Sequence, residues 1–285
     1  MNETTNQTSS GWAAARWPRP FYEGWPRAVQ PAAQALWHWH THLAEPRVPA
    51  LDGADRTAFF EDQVRRAGAG KPVSIVPPEV WAAAYEACAA HRLPRELLAR
   101  QIRGAARYEP PVRLETAEDL NAFMQDWVAP HARLLAHLAG ATLRSQQRHA
   151  DELARGFFLT RVLLTLPADL QTDRVFIPLA DLEQAGVSLD ALREGRLDER
   201  VRKLLWKQVI RARDAFAQGR PLVHDLPRRL RGPFKRAWIG GLEVLHEIER
   251  RRYDVWSAPI TLSLFQQAQI RLQALAGRTT FKARR

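Results

Sequence analysis

Cysteine is almost missing from this chain. Cys88 stands alone among 285 residues, so no internal disulfide can form and stability has to come from packing. It lies in the helical stretch EVWAAAYEACAAH, among alanines and without a fixed histidine partner, which points to core packing rather than nucleophilic work. Long hydrophobic runs are also missing: none approaches the ~20 residues that a membrane-crossing helix needs. The opening MNETTNQTSS has neither a basic n-region nor an apolar h-region, so no secretory leader is expected. Cytoplasmic residence, with contact at the inner face of a membrane as a variant, is the simple expectation. There is no internal repeat, no low-complexity linker and no recognised nucleic-acid module.

What is present is hydrophobic residues at 46% and a formal net charge of +11. The positive residues gather late: Arg228, Arg229, Arg231, Lys235, Arg236, Arg250, Arg251, Arg252, then Lys282, Arg284 and Arg285. Such a surface suits nucleic acid, anionic lipid or diphosphate, and charge alone does not choose. Without a nucleic-acid module, a solvated arginine-rich helix face is expected, and nucleic acid is not an expected partner.

Helical spacing of apolar residues dominates. It predicts a helix over 28–44 with Pro31 in its first turn, and helices opened by Pro77–Pro78 through about His91 and by Pro94 through about Arg107. Thr116 followed by Asp119 reads as an N-cap with an acidic N3, starting a helix to about Ala139 that bends near Pro130. Further helices are expected over 142–166, ending at Pro167, and over 198–217, 228–252 and 259–276. Ala168 to Pro178 is expected as a loop with one strand-like scrap, Val175–Ile177. The expectation is an all-α, single-domain helical bundle over residues 21–278, between a flexible segment 1–20 and a basic tail 279–285.

His38, His40 and His42 invite a metal reading. On a helix only His38 and His42, at i and i+4, share a face, and Glu45 lies within reach as a third ligand. No cysteine or second histidine pair completes the set, so aromatic packing with polar imidazole tips is expected. Trp12, Trp17, Trp25, Trp37 and Trp39 crowd the N-terminal part, as core or as the lining of a pocket.

Residues 150–178 read ADELARGFFLTRVLLTLPADLQTDRVFIP. The stretch resembles, without a gap, the signature of the squalene/phytoene synthase family, roughly A-x-x-L-G-x-A-x-Q-L-T-N-I-L-R-D-V-x-E-D-A-x-x-G-R-x-Y-x-P. Ala150, Leu153, Leu159, Thr160, Leu163, Asp169, Arg174 and Pro178 are identical, and Val162 and Phe176 are close. DLEQAGVSLDAL, RRRYDVWSAPITLSLFQQAQI and ETAEDLNAFMQDWVAPHARLLAHLAGA resemble other family segments in the family's order, so the resemblance covers most of 95–275. It implies a terpenoid synthase-type bundle with a central cavity. Family enzymes join two prenyl diphosphates, with two aspartate-rich helix segments holding Mg²⁺ that binds diphosphate and helps it leave.

Most of those ligands are absent here. The family's R-D-V-x-E-D aligns with Leu164, Thr165, Leu166, Pro167, Ala168 and Asp169, which leaves one carboxylate, with Pro167 expected to disturb the helix that carries it. The family's Gln, Asn and Arg in the same helix are Phe158, Arg161 and Leu164. The first motif aligns with ALWHWHTHLAEPRV, putting its acidic positions on Ala44, Glu45 and Val48, with Pro46 breaking the helix. Arg174 matches a family arginine and can contact an anion, cap, or pair with Asp169 or Asp173.

The resemblance therefore implies a degenerate member of a transferase family. Glu45, Thr165 and Asp169 are the remnants of the catalytic and metal positions, and Arg161, Arg174, Phe158 and Phe176 are the substrate-binding candidates. The leading expectation is a non-catalytic binding or assembly protein without a cofactor, taking an isoprenoid ligand or a protein partner. A mitochondrial complex I assembly factor in the same superfamily likewise lacks the aspartates. The alternative is a divergent prenyltransferase of isoprenoid biosynthesis (squalene, carotenoid or hopanoid), requiring Mg²⁺, with Glu45, Asp169 and Glu109 at a prenyl diphosphate. A third reading is a peripheral lipid-binding protein on an anionic membrane. Convergence of Arg161, Arg174 and the arginines after Pro227 on one pocket would favour the transferase.

Overall fold

Prolines and capping side chains set most helix starts where the sequence predicts them. A computed structural model describes residues 25–276, residue 52 excepted. Segment 1–20, tail 279–285, and with them Trp12, Trp17, Lys282, Arg284 and Arg285, lie outside the described residues. The described helices are α1 (Gln30–Leu43), α2 (Gly53–Gly68), α3 (Pro78–Ala90), α4 (Glu96–Tyr108), α5 (Ala117–Trp127), α6 (Ala129–Leu138), α7 (Arg144–Gln171), α8 (Leu179–Ala185), α9 (Leu189–Arg193), α10 (Glu199–Gly219), α11 (Leu222–Asp225), α12 (Arg228–Arg250) and α13 (Leu264–Ala276). Pro31 lies in the first turn of α1 and Pro78 in that of α3. Thr116 forms a full capping box with Asp119: its hydroxyl accepts from the Asp119 amide, and the Asp119 carboxylate accepts from the Thr116 amide. The expected bend near Pro130 is a break at Val128, with Pro130 in the first turn of α6.

Four expectations need correction. Helix α7 does not stop at Pro167 but carries it inside and runs on to Gln171. Pro167 removes one backbone hydrogen bond, while Leu163, Leu166 and Leu170 are buried on both sides of it, so packing outweighs the loss. Helix α2 was not expected at all, and it buries little beyond Phe60, Gln63 and Ala67. The last helix begins at Leu264 rather than 259. The strand-like scrap is no strand: among the described residues there is one isolated parallel bridge, Val112 with Arg174, beside the buried Val175, Phe176 and Ile177.

The most extensive helix pairing is α7 with α10. Its centre is Phe216, fully buried on α10 between two glycines. A Cβ on Gly156 of α7 would lie 2.8 Å from the Phe216 ring, and one on Gly241 of α12 would lie 2.6 Å away. Only glycine leaves room for the ring at both places. Phe157 meets it edge-on at 5.0 Å, and the Trp238 indole donates to the Phe216 carbonyl at 3.1 Å. At the periphery, buried Asp181 of α8 accepts from Lys207, Gln208 and Arg211 of α10, fixing α8 to that helix. Helix α13 packs on α12 and leaves Leu264, Phe265 and Leu272 exposed. No described helix is long and apolar enough to cross a membrane.

Candidate functional site

Residues four apart on a helix stack on one face, so Arg161, Thr165 and Asp169 form a single row along α7. The row faces Tyr108 at the end of α4. One Arg161 terminal nitrogen donates to the Tyr108 hydroxyl at 2.6 Å and to Asp169 Oδ1 at 3.0 Å. Thr165 Oγ1 lies 2.6 Å from Asp169 Oδ2 and 2.9 Å from the Arg161 carbonyl oxygen, so its one proton is shared between two acceptors. Both Asp169 carboxylate oxygens are thereby engaged, and Arg161 and Asp169 are buried, with side chains 10% and 9% exposed.

Aromatic rings enclose the guanidinium. Its carbon lies 5.4 Å from the Tyr108 ring centre, 5.4 Å from Phe176 and 5.8 Å from Phe158, distances at which ring faces attract a cation. Arg161 Nε and its second terminal nitrogen have no hydrogen-bond partner among the described residues, and these rings offset part of that cost. Tyr108 itself stacks on Trp127 at 4.9 Å and on Phe176 at 5.5 Å. Burial raises the Tyr108 phenol above its ordinary pKa, the Arg161 charge opposing and Asp169 and Glu45 adding to the rise.

Arg174 reaches the same place from the segment after α7. Its guanidinium lies 5.0 Å from the Tyr108 ring centre, and it donates to the Tyr108 carbonyl and to the Thr172 hydroxyl, both at 3.0 Å. It pairs with neither Asp169 nor Asp173; Arg113 and Arg193 hold Asp173 instead. Glu109 is held by Arg56 at 2.7 Å. Burial raises its pKa, with Arg56 and Arg174 opposing. Glu45 is exposed just past α1, near enough for its charge to act on Tyr108. The sequence candidates Arg161, Thr165, Asp169, Phe158, Phe176 and Arg174 thus meet around Tyr108, with Glu45 at the edge. The arginines after Pro227 do not join them: Arg228, Arg229 and Arg236 are exposed, and Arg231 donates to the Leu226 and His224 carbonyls.

Phe158 also forms the wall of an apolar cavity of about 180 Å³ between α1, α6, α7, α11 and the start of α12. Leucine, alanine and phenylalanine make up most of its lining, with Trp25, Trp37, His40 and His131. The pairing of His40 with His131 is an element the sequence reading missed. Their rings stack at 4.4 Å, His40 also packs 4.7 Å from Trp127, and its Nδ1 is 3.2 Å from Gln101 Oε1. Burial lowers the His40 pKa to about 4, with Gln101 opposing and Arg161 adding, and burial holds His131 well below the ordinary histidine value, with His40 adding.

A pH dependence follows. Below pH 6.5 the unfolded chain protonates histidines that the folded chain keeps neutral, so stability is full above that value and falls as pH drops towards 4. His40 alone contributes a loss of about 3 kcal/mol over that window. Denaturant midpoints measured from pH 7.5 down to 4.5 check this, and a flat profile would rule it out.

The remaining candidates resolve simply. His42 Nδ1 lies 2.8 Å from the His38 carbonyl oxygen and the two rings are 6.4 Å apart. Among the described residues no group of three or more His, Cys, Asp or Glu is placed to hold a metal ion. Cys88 is buried, and burial pushes its thiol up to about 12. Trp39 is core, packed 5.6 Å from Trp81.

Comparison with known proteins places this geometry. A squalene/phytoene synthase family model matches residues 26–272. A phytoene synthase of Thermus thermophilus is 32% identical over 109 residues, 38% of this chain and 37% of that protein. One from Arthrospira platensis is 32% identical over 99 residues, 35% of this chain and 32% of that protein. The chain thus matches about a third of the length of these curated relatives. Among solved structures, squalene synthase HpnC from Alicyclobacillus acidocaldarius has a TM-score of 0.70 at 27% identity, covering 82% of this chain and 88% of that one. A dehydrosqualene synthase in complex with ligand has a TM-score of 0.77 at 15% identity, covering 93% of both, a likeness of fold.

Proposed function

This chain belongs to the squalene/phytoene synthase family, and we propose that it binds an isoprenoid chain in its apolar cavity without ionising a prenyl diphosphate. The observation that carries this reading is the state of Asp169. A hard divalent cation needs several free oxygen ligands. Here the one carboxylate left at the second motif is taken up by the Arg161 guanidinium and the Thr165 hydroxyl. Glu109 is committed to Arg56, and Glu45 is an exposed single carboxylate. This donor set does not fit a magnesium cluster, and the charge such a cluster would supply is replaced by a side chain with no free coordination position.

Departure of diphosphate builds negative charge that must be met where it develops. Arg161 is already paired and lies behind rings, so little is left to meet it. What this chain does keep is the means to hold a hydrocarbon: aliphatic walls, two indoles and the Phe158 ring. The expected result is saturable binding of isoprenoid chains with no release of diphosphate from farnesyl or geranylgeranyl diphosphate, with or without Mg²⁺. Turnover abolished by Asp169→Asn would overturn the reading.

One observation favours a second reading, a metal-independent prenyltransferase: Arg161 and Arg174 both lie against the Tyr108 ring. Diphosphate release that persists in a chelator and disappears in Arg174→Ala would establish it.

A further inference from the structure

The cavity is not uniformly greasy. Among the described residues no lysine, arginine, aspartate or glutamate lines it, and the side-chain heteroatoms of that lining are on Trp25, Trp37, His40 and His131. Three of these atoms are buried with no hydrogen-bond partner among the described residues: both ring nitrogens of His131 and the indole nitrogen of Trp25. The residues themselves are 8% exposed. Buried polar atoms are nearly always paired, and leaving them unpaired is costly. At about 180 Å³ the space is many times the roughly 10–15 Å³ that one water needs.

We propose that the occupant of this cavity is an isoprenoid alcohol, an uncharged chain whose hydroxyl hydrogen-bonds to His131. A hydroxyl is both donor and acceptor, and a neutral imidazole offers one of each, so either tautomer of His131 finds a match. A plain hydrocarbon would leave all three atoms unpaired. A diphosphate would bring charge into a lining whose described residues include no cation, since Arg161 is outside it, behind Phe158 and bonded to Tyr108 and Asp169. Burial keeps both histidines neutral near pH 7, so neither supplies the missing charge.

The inference rests on the reading of the cavity as an isoprenoid site and deepens it. The test is calorimetric titration of the full chain with farnesol, β-farnesene and farnesyl diphosphate. Farnesol is expected to bind about tenfold more tightly than β-farnesene, the scale of one buried hydrogen bond, and more tightly than the diphosphate. His131→Leu should erase the preference for farnesol while leaving β-farnesene binding within about threefold; His131→Phe serves if the leucine variant does not fold. Tighter binding of the diphosphate, or a farnesol preference that survives His131→Leu, overturns the proposal. Equal affinity for farnesol and β-farnesene overturns this inference alone, whereas no binding of any of the three overturns the isoprenoid reading with it.

Discussion

Replacing Arg161 with leucine is expected to destabilise the protein by about 3–5 kcal/mol, because it strands the Asp169 carboxylate in a buried site. Tyr108 loses the partner of its hydroxyl in the same step, and three rings lose the cation between them. The pairing term can be isolated. Arg161→Leu with Asp169→Leu removes both charges, and a buried ion pair replaced by apolar groups is often close to neutral, so the double variant should recover most of the loss. Equilibrium unfolding in urea reads both variants. A single variant within 1 kcal/mol of the parent would mean that water reaches Asp169. A double variant no better than the single one would mean that Arg161 acts mainly through its rings.

Phe216→Ala should cost a similar amount, about 3–5 kcal/mol, and should not be rescued by relaxation. The void it leaves would be bounded by Gly156 and Gly241, which carry no side chains that could move in. The opposite error is smaller. Gly156→Ala pushes a methyl against the ring and should cost about 1–3 kcal/mol, because a ring can shift slightly where backbone cannot. Adding Gly156→Leu to Phe216→Ala is the informative combination: partial recovery would show that the loss comes from empty volume. Additive losses would contradict that account.

How much of this was legible follows the range of each interaction. Arg161, Thr165 and Asp169 were each named from the family resemblance, but their row was not, because a helix ended at Pro167 leaves Asp169 in a loop, where Arg174 was a candidate partner. The capping box at Thr116 was legible, with donor and acceptor three residues apart. Tyr108 was not, since it meets Arg161 across 53 residues and nothing local marks it beyond its place beside Glu109. His40 was seen, but as one of a local trio, while its actual neighbours are Gln101, Trp127 and His131 on three other helices. Helix α2 escaped because its inward stripe holds few apolar residues, Phe59, Phe60, Val64 and Ala67 with Gln63 buried among them, so periodicity had little apolar signal to report. Pro167 misled in the other direction: a local rule ended a helix that burial on both sides of the proline continues.

The Arg161–Asp169 pair changes what the protein's architecture depends on. A positive charge carried on a side chain is present at one copy per chain from the moment of synthesis. It cannot be stripped by a chelator or exchanged for a competing ion, so the charge that faces Asp169 beside Tyr108 is fixed by the chain itself.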